Sequence, residues 1–187
     1  MSDTALVAIV GSVITALSTL AGVYITNRLT YDRLTVQLEY EQARERERFL
    51  RERLEELHVL IAEWIIFVAV FHLPITKVMR GEISYNAALD LINEHELTPP
   101  NFQRMEMVVE LYFPTLRDKY NQLMKARDEL SSIVDAHKEQ YRIGQTDGSA
   151  FRRPFMAAQL AVDARATELK AEIAKLALGG PLVSVEG

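Results

Sequence analysis

The chain contains no cysteine among its 187 residues, which excludes disulfides, thiolate metal sites and cysteine nucleophiles. Histidine is also scarce, and no two copies lie four residues apart, as in a helical zinc site; they are His58, His72, His95 and His137. Basic residues are not in excess, since 21 Lys and Arg stand against 26 Asp and Glu. The sequence therefore does not indicate a dedicated nucleic-acid binder, and we expect neither a metal nor another cofactor.

Glycine and proline are absent between residues 23 and 73, where helix-forming residues dominate. No Gly-rich run precedes a helix start, and no serine lies on a nucleophile elbow, so phosphate-loop and serine-hydrolase chemistry are not indicated. No segment shows the alternation of a strand. The sequence predicts an all-α fold, in which an N-terminal transmembrane helix continues into a long charged helix and a cytoplasmic bundle of about four to five helices follows.

The longest uncharged stretch is at the N-terminus, where no charged side chain occurs between Asp3 and Arg28. Roughly 20 apolar residues cross a bilayer core, so this length suffices. A cleaved signal peptide would need a positively charged start, whereas this chain starts with an acidic one. We therefore predict a transmembrane segment at residues 1–27, with its helix over 4–27. Because Arg28 and Arg33 follow it, the positive-inside rule predicts a single pass with the N-terminus outside and the body in the cytoplasm.

The predicted span has one small, hydroxyl-rich face and one bulky face. At 100° per residue, the small or hydroxylated side chains fall within about 60° of Thr15; they are Ala8, Gly11, Ser12, Ser18, Thr19, Gly22 and Thr26. Small residues let helices approach, and hydroxyls bond across the contact, so the face indicates a homo-oligomer in the bilayer. Two interpretations stay open, a helix-packing face or the lining of a pore formed by a ring of copies. A passive anchor is the third.

Residues 28–56 form the predicted charged helical stalk. From Glu39 to Glu56, twelve of eighteen residues are charged, with both signs mixed. Such a run is typical of a solvated helix and spaces the body away from the bilayer. Residues 57–75 are apolar enough to suggest a second span, but Glu63 interrupts them. A helix that is apolar on nearly all sides is more simply the central buried helix of a bundle.

The predicted bundle covers residues 57–178, and a C-terminal tail at 179–187 follows. Gly81 is expected to end the central helix. Caps and prolines predict the later helices: Ser84 begins Tyr85–Glu96, Thr98 begins a helix with Pro99 and Pro100 in its first turn, Pro114 precedes Thr115–Tyr141, and Pro154 begins a last helix ending at Leu178. The stretch 143–150 is the one predicted loop.

A second group of candidate site residues is basic. Lys138, Arg142, Arg152 and Arg153 bracket the predicted loop. Charge-assisted contacts there could hold a nucleotide or a short nucleic acid, and Tyr141 and Phe151 could stack a base. The alternative is ordinary surface solubilisation.

The segment from Arg53 to His58 reads R-L-E-E-L-H and resembles the R-x4-6-H signature of the HEPN family, all-helical domains that often cleave RNA as dimers. The resemblance implies an acid–base role for His58 and a phosphate contact for Arg53. The chain departs from the family pattern at Leu54, where a polar residue is usual, and in the early position of the motif. We treat the two residues as weak catalytic candidates.

The whole layout resembles two bacterial antiviral membrane effectors. One is the channel effector of Hailong defence systems, which a short DNA signal from a partner nucleotidyltransferase controls. The other is the pore-forming, HEPN-like accessory protein of RNA-targeting CRISPR nucleases. The resemblance implies an oligomeric pore in the bacterial inner membrane, with one of those enzymes as a partner and no enzymatic activity of its own. A membrane-anchored HEPN-like ribonuclease and an inactive membrane-tethered adaptor are the alternatives.

Overall fold

The computed structural model describes the backbone of residues 3–95 and 99–179 and the side chains of residues 18–20, 22–95 and 99–179. These residues form helices and no strand, which confirms the predicted all-α class. The elements are α1 (Asp3–Met79), α2 (Tyr85–Glu94), α3 (Phe102–Tyr112), a 3-10 turn (Pro114–Leu116), α4 (Arg117–Arg142) and α5 (Ser149–Leu178). The number of helices agrees with the prediction of a helical bundle.

The chain divides into two compact units, Met1–Arg48 and Phe49–Gly187, and α1 contributes to both. This division falls inside the predicted stalk, residues 28–56. Leu54, near the end of that stalk, is fully buried in the second unit, and Leu50 packs against its core. The charged run therefore supplies core residues of the body as well as solvated ones.

Within the second unit, the central stretch of α1 supplies one side of the core. Leu57, Ile61 and Trp64 recur at three- and four-residue spacing and are at most 1% exposed. Helix α5 lies antiparallel to α1, because Phe155 near its start meets His72 (ring centroids 5.6 Å apart) and Ile173 near its end lies beside His58. Helices α3 and α4 complete the core with the following buried residues: Met105, Val108, Val109, Leu123 and Leu130.

Over Ser18–Met79, near the N-terminus, helix α1 is long and apolar enough to cross a membrane by length and composition. Residues 57–75 are the most apolar stretch of that part, and they contribute buried residues to the body's core. The side chains of residues 4–17 lie outside those described, so the transmembrane segment at 1–27 and its orientation stay predictions.

Two predicted helix boundaries are confirmed, the start of α2 and the end of α1. The Ser84 hydroxyl accepts a hydrogen bond from the Ala87 amide (3.2 Å) and begins α2. Gly81 follows α1 with φ of 73°, the left-handed conformation that stops a helix and favours glycine.

Three other predicted boundaries differ from the structure. Helix α3 begins after Asn101, whose Oδ1 accepts a hydrogen bond from the Arg104 amide (2.9 Å), rather than at the proline pair; Thr98 lies outside the described residues. The α-helical part of α4 begins at Arg117, after the 3-10 turn. Helix α5 begins at Ser149, five residues before Pro154, because Asp147 accepts from the Ser149 amide (2.9 Å) and starts the first turn. In the tail, residues 180–187 lie outside the described residues.

Candidate functional site

In the first unit, the described residues form a single helix with large apolar side chains exposed on it. Ten of them, between residues 20 and 40, are 51% to 72% exposed. Six lie beyond Arg28, past the predicted lipid-facing stretch: Leu29, Tyr31, Leu34, Val36, Leu38 and Tyr40. Isolated exposed apolar residues are ordinary, but a dense set on one helix is typical of a surface that binds another molecule.

Nine of these ten exposed residues form two stripes rather than one. At 100° per residue, stripe A combines Leu20, Tyr24, Tyr31, Leu34 and Leu38. Stripe B combines Ile25, Leu29, Val36 and Tyr40. The centres of the stripes lie roughly 165° apart around the helix, so they face nearly opposite directions. A helix that packed against one partner would need only one such stripe.

Between the stripes lie two polar faces of different character. One carries Arg28, Asp32 and Glu39, and the other continues the predicted hydroxyl face through Thr19, Thr26 and Thr30. The hydroxyl of Thr30 donates to the backbone carbonyl of Thr26 (2.8 Å), so the helix itself satisfies this group.

The structure describes the side chains of only some of the predicted pore-lining or packing residues. The side chains of Ser18, Thr19 and Thr26 are exposed, and a Cβ added at Gly22 would meet no atom within 4 Å. The side chains of Gly11, Ser12 and Thr15 lie outside those described, and so does that of Ala8. Whether this face packs against helices or meets water stays open.

In the second unit, Arg53 belongs to a charged cluster with Glu56 and Arg104. One Glu56 oxygen accepts from Arg53, and both oxygens accept from Arg104, with the Nη2–Oε2 distance at 2.8 Å. The hydrogen bond from Arg104, with the charge of both guanidiniums, lowers the pKa of Glu56. The Arg53 guanidinium also lies over the Phe49 ring (5.1 Å to the centroid), so both of its contacts are with residues of α1. The hydrogen bonds from Arg104 to Glu56 are the ones that join α3 to α1.

His58, the other candidate of the R-x4-H segment, is on a different face of α1. Five residues correspond to about 140° around a helix, and His58 is exposed beside Ile173 and Ala177 of α5. The structure does not bring Arg53 and His58 together within one chain.

The structure also separates the four predicted basic ligand-binding residues into two pairs. Arg152 and Arg153 of α5 line a surface cavity of about 540 Å³, together with Ser149 and with Arg80 at the end of α1. Lys138 and Arg142 do not line it, and Arg142 is paired with Glu139 on its own helix (2.9 Å). Arg80 was not among the predicted residues, because only the antiparallel packing of α1 and α5 brings it there.

Few carboxylates lie close enough to neutralise the positive charge of the arginines in this cavity. In the described part of the structure, no carboxylate lies within 4.0 Å of Arg152 or Arg153. Arg80 meets Glu82 at 3.7 Å, but both side chains are about half exposed, and such pairs contribute about 1 kcal/mol at most. Asp147 is the other nearby acid; hydrogen bonds from Ser149, and then the charge of Arg152, lower its pKa.

The two rings predicted to stack a base contact the body's own residues instead. Tyr141 packs against Tyr85 (ring centroids 4.8 Å apart), and Phe151 packs against His137 (5.2 Å). Neither ring lines the cavity of the arginines.

An apolar groove adjoins the arginine cavity. Its volume is about 330 Å³, and Ile65, Val68 and Ala69 of α1 line it together with Met156 and Leu160 of α5. The same two α5 residues also line the arginine cavity, so the two spaces adjoin each other. Both sizes fall within the roughly 300–1,000 Å³ that is typical of small-molecule sites.

Within residues 18–95 and 99–179, no group of three or more His, Asp or Glu side chains is placed to hold a metal ion. Comparison of the chain with protein-family models, with curated proteins and with solved structures finds no match.

Proposed function

We propose that this protein is an oligomeric membrane effector that forms an ion-conducting pore and that an anionic ligand of its helical body controls it. The observation that carries the proposal is the pair of opposed apolar stripes on α1. Stripe A of one copy packs against stripe B of the next, so each helix has a neighbour on both sides. Contacts of this head-to-tail kind close into rings when the rotation allows.

The apolar residues beyond Arg28 support assembly independently of any lipid. Leu34 and Leu38 lie among charged residues that cannot enter the hydrocarbon core, so lipid does not cover them. Other copies of the same helix are the partner whose chemistry matches, since the N-terminal helices of all copies would insert in one bilayer and run parallel.

In such a ring, one of the two polar faces points to the axis. The hydroxyl face, with Thr19, Thr26 and the predicted Thr15, carries no charge within the span and suits the lining of a water-filled path. The resemblance in layout supports three further parts of the proposal. They are control by a nucleotide or a short nucleic acid, a partner nucleotidyltransferase or CRISPR nuclease, and a role in antiphage defence.

Cysteine crosslinking tests the assembly directly, because the natural chain has no cysteine. We expect the double variant Val36→Cys/Leu38→Cys, with one thiol on each stripe, to form a ladder of dimers, trimers and larger species on oxidation in membranes. Each single variant should stop at dimers at most. The matched control Asp32→Cys, on the charged face, should stay uncrosslinked; monomers throughout would contradict the proposal and favour the tethered adaptor.

Planar-bilayer conductance tests the pore. Thr19→Leu and Thr15→Leu should reduce conductance at least tenfold without changing the crosslinked ladder, because a bulky apolar side chain would dewet the axis. Full conductance in both variants would show that this face packs helices rather than lining a pore.

A further inference from the structure

We infer that the groove between α1 and α5 binds an anionic amphiphile, with a phosphate head group between Arg80, Arg152 and Arg153 and an aliphatic tail along Met156 and Leu160. The ligand class is a membrane phospholipid with an anionic head. The inference rests on the proposed function for its regulatory meaning, because this would be the ligand to which the body responds.

Two adjoining spaces of different chemistry support this ligand. Met156 and Leu160 line both the arginine cavity and the apolar groove. At 1.5 Å per residue along α5, Leu160 lies roughly 10 Å from Arg153, so cation and apolar wall follow one another along a single helix face. A ligand that fills both spaces must carry negative charge at one end and hydrocarbon at the other.

The charge balance at the head end favours a monoanionic or dianionic group. Three arginines face two carboxylates, Glu82 and Asp147, which leaves the site net positive. Arginine binds phosphate oxygens through its planar, forked donors. The weak Arg80–Glu82 contact at 3.7 Å is easily exchanged for a phosphate contact.

The walls favour an aliphatic tail over a nucleobase. All residues lining both spaces are described, and none of them is aromatic, so a base would find no ring to stack on. Gln159 is the only amide side chain among them. Ile65, Val68 and Leu160 instead provide branched aliphatic contacts, of the kind that bury a hydrocarbon chain.

The exposure of the wall residues shows that the body itself leaves this surface uncovered. Met156 is 55% and Leu160 is 69% exposed. An apolar surface flanked by arginines matches a single phospholipid molecule, in which an anionic head is joined to a hydrocarbon tail. At the far end of the groove Asp163 ends the apolar wall, which limits the tail segment that is held.

Native mass spectrometry of the full chain in detergent tests the inference, with short-chain phosphatidylglycerol as the probe. We expect Arg152→Gln/Arg153→Gln to reduce its binding at least tenfold. The matched control Lys138→Gln/Arg142→Gln, which removes two exposed cations outside the cavity, should bind like the natural chain. Met156→Ser/Leu160→Ser should also weaken binding several-fold. The predicted span is the same in all variants, so lipid held around it cancels in the comparison.

Three results would overturn the inference. Equal lipid binding by Arg152→Gln/Arg153→Gln and its control would show that these arginines do not bind the head group. Inorganic phosphate or ATP bound as tightly as the lipid would show a site for anions without a tail, as a nucleotide site would be. A lower oligomer mass in Met156→Ser/Leu160→Ser, with lipid binding unchanged, would show that a second copy covers the surface.

The experiments distinguish a failure of this inference from a failure of the proposed function. Lipid binding that depends on Arg152 in a chain without conductance would refute the pore alone. Conductance and a crosslinked ladder in a chain that binds no lipid at this groove would refute the amphiphile site alone.

Discussion

The Tyr85 hydroxyl and Nδ1 of His137 share a hydrogen bond of 2.9 Å, which joins α2 to α4 across 52 residues of sequence. The His137 side chain is fully buried, and its other nitrogen, Nε2, has no hydrogen-bond partner in the described structure. Burial lowers the pKa of His137 and, with Asp135 and Tyr141 nearby, raises the pKa of Tyr85 to about 12. The pair is therefore neutral in the folded body at physiological pH.

The first prediction concerns acid. Burial also lowers the pKa of His72, although its hydrogen bond to the Val68 carbonyl (2.8 Å) opposes the shift. Both folded pKa values lie below the unfolded value of 6.5, so the unfolded chain binds more protons below that pH. The free energy of unfolding is therefore highest above pH 6.5. It decreases as the pH falls from 6.5 through the folded-state pKa values of the two histidines, by up to about 1.4 kcal/mol per pH unit for each histidine.

Denaturant unfolding of the full chain in detergent, at a series of pH values from 7.5 to 5, measures this loss. His137→Gln should flatten the acid dependence of the unfolding free energy. The exposed His58→Gln should leave the dependence unchanged, and an equal effect of both substitutions would contradict the assignment to buried histidines.

The second prediction concerns the close approach at Gly148. A Cβ there would lie 2.5 Å from the Met79 Cα and 2.8 Å from Nε2 of His137. Because the first of these atoms is backbone, Gly148→Ala should force α1 and α5 apart and lower the unfolding free energy by about 1–3 kcal/mol. Ala150→Ser, two residues away and exposed, should stay within about 0.5 kcal/mol of the natural chain.

The third prediction separates structure from catalysis at Arg53. Glu56→Gln removes the carboxylate that Arg53 and Arg104 share, and both guanidiniums are at most about a third exposed. We expect the unfolding free energy to fall by about 1–3 kcal/mol, since charged hydrogen bonds in a partly buried cluster are lost. The neighbouring Glu55→Gln is the control, as Glu55 is exposed. RNA cleavage that vanished in Arg53→Ala while stability was unchanged would instead favour the HEPN-like ribonuclease.

The fourth prediction concerns the stalk. Leu34→Glu places a charge in stripe A, where a parallel neighbour would bury it, so we expect the particle mass in detergent to fall to that of a monomer or short oligomer. Light scattering with detergent correction measures this mass. Gln37→Glu, on a polar face, adds the same charge and should leave the mass unaltered.

The helical class and the cap at Ser84 were predictable because each depends on local sequence. The start of α5 was not, since Pro154 is a strong local signal, whereas the structure uses the Asp147 turn and a contact between Gly148 and Met79. In the arginine cavity, Arg152 and Arg153 were predicted from their position beside the loop. Arg80 was missed because it joins them through the antiparallel packing of α1 and α5, which no local pattern encodes.

The rings of Tyr141 and Phe151 show the same limit. Their aromatic character was correctly noted, but burial against Tyr85 and His137 depends on where three helices meet. Likewise, the R-x4-H spacing was read from the sequence, but a five-residue step places Arg53 and His58 on different faces of one helix.

Two opposed stripes on one helix have a kinetic consequence. A helix with a single adhesive face would have no free face after it met one copy. In the proposed ring, a helix with two such faces would leave one uncovered on every incomplete assembly until the ring closed. Small assemblies would then be fleeting and closed ones long-lived. The quantity of chain in the membrane would act as a threshold, below which the bilayer stays intact and above which closed rings accumulate abruptly.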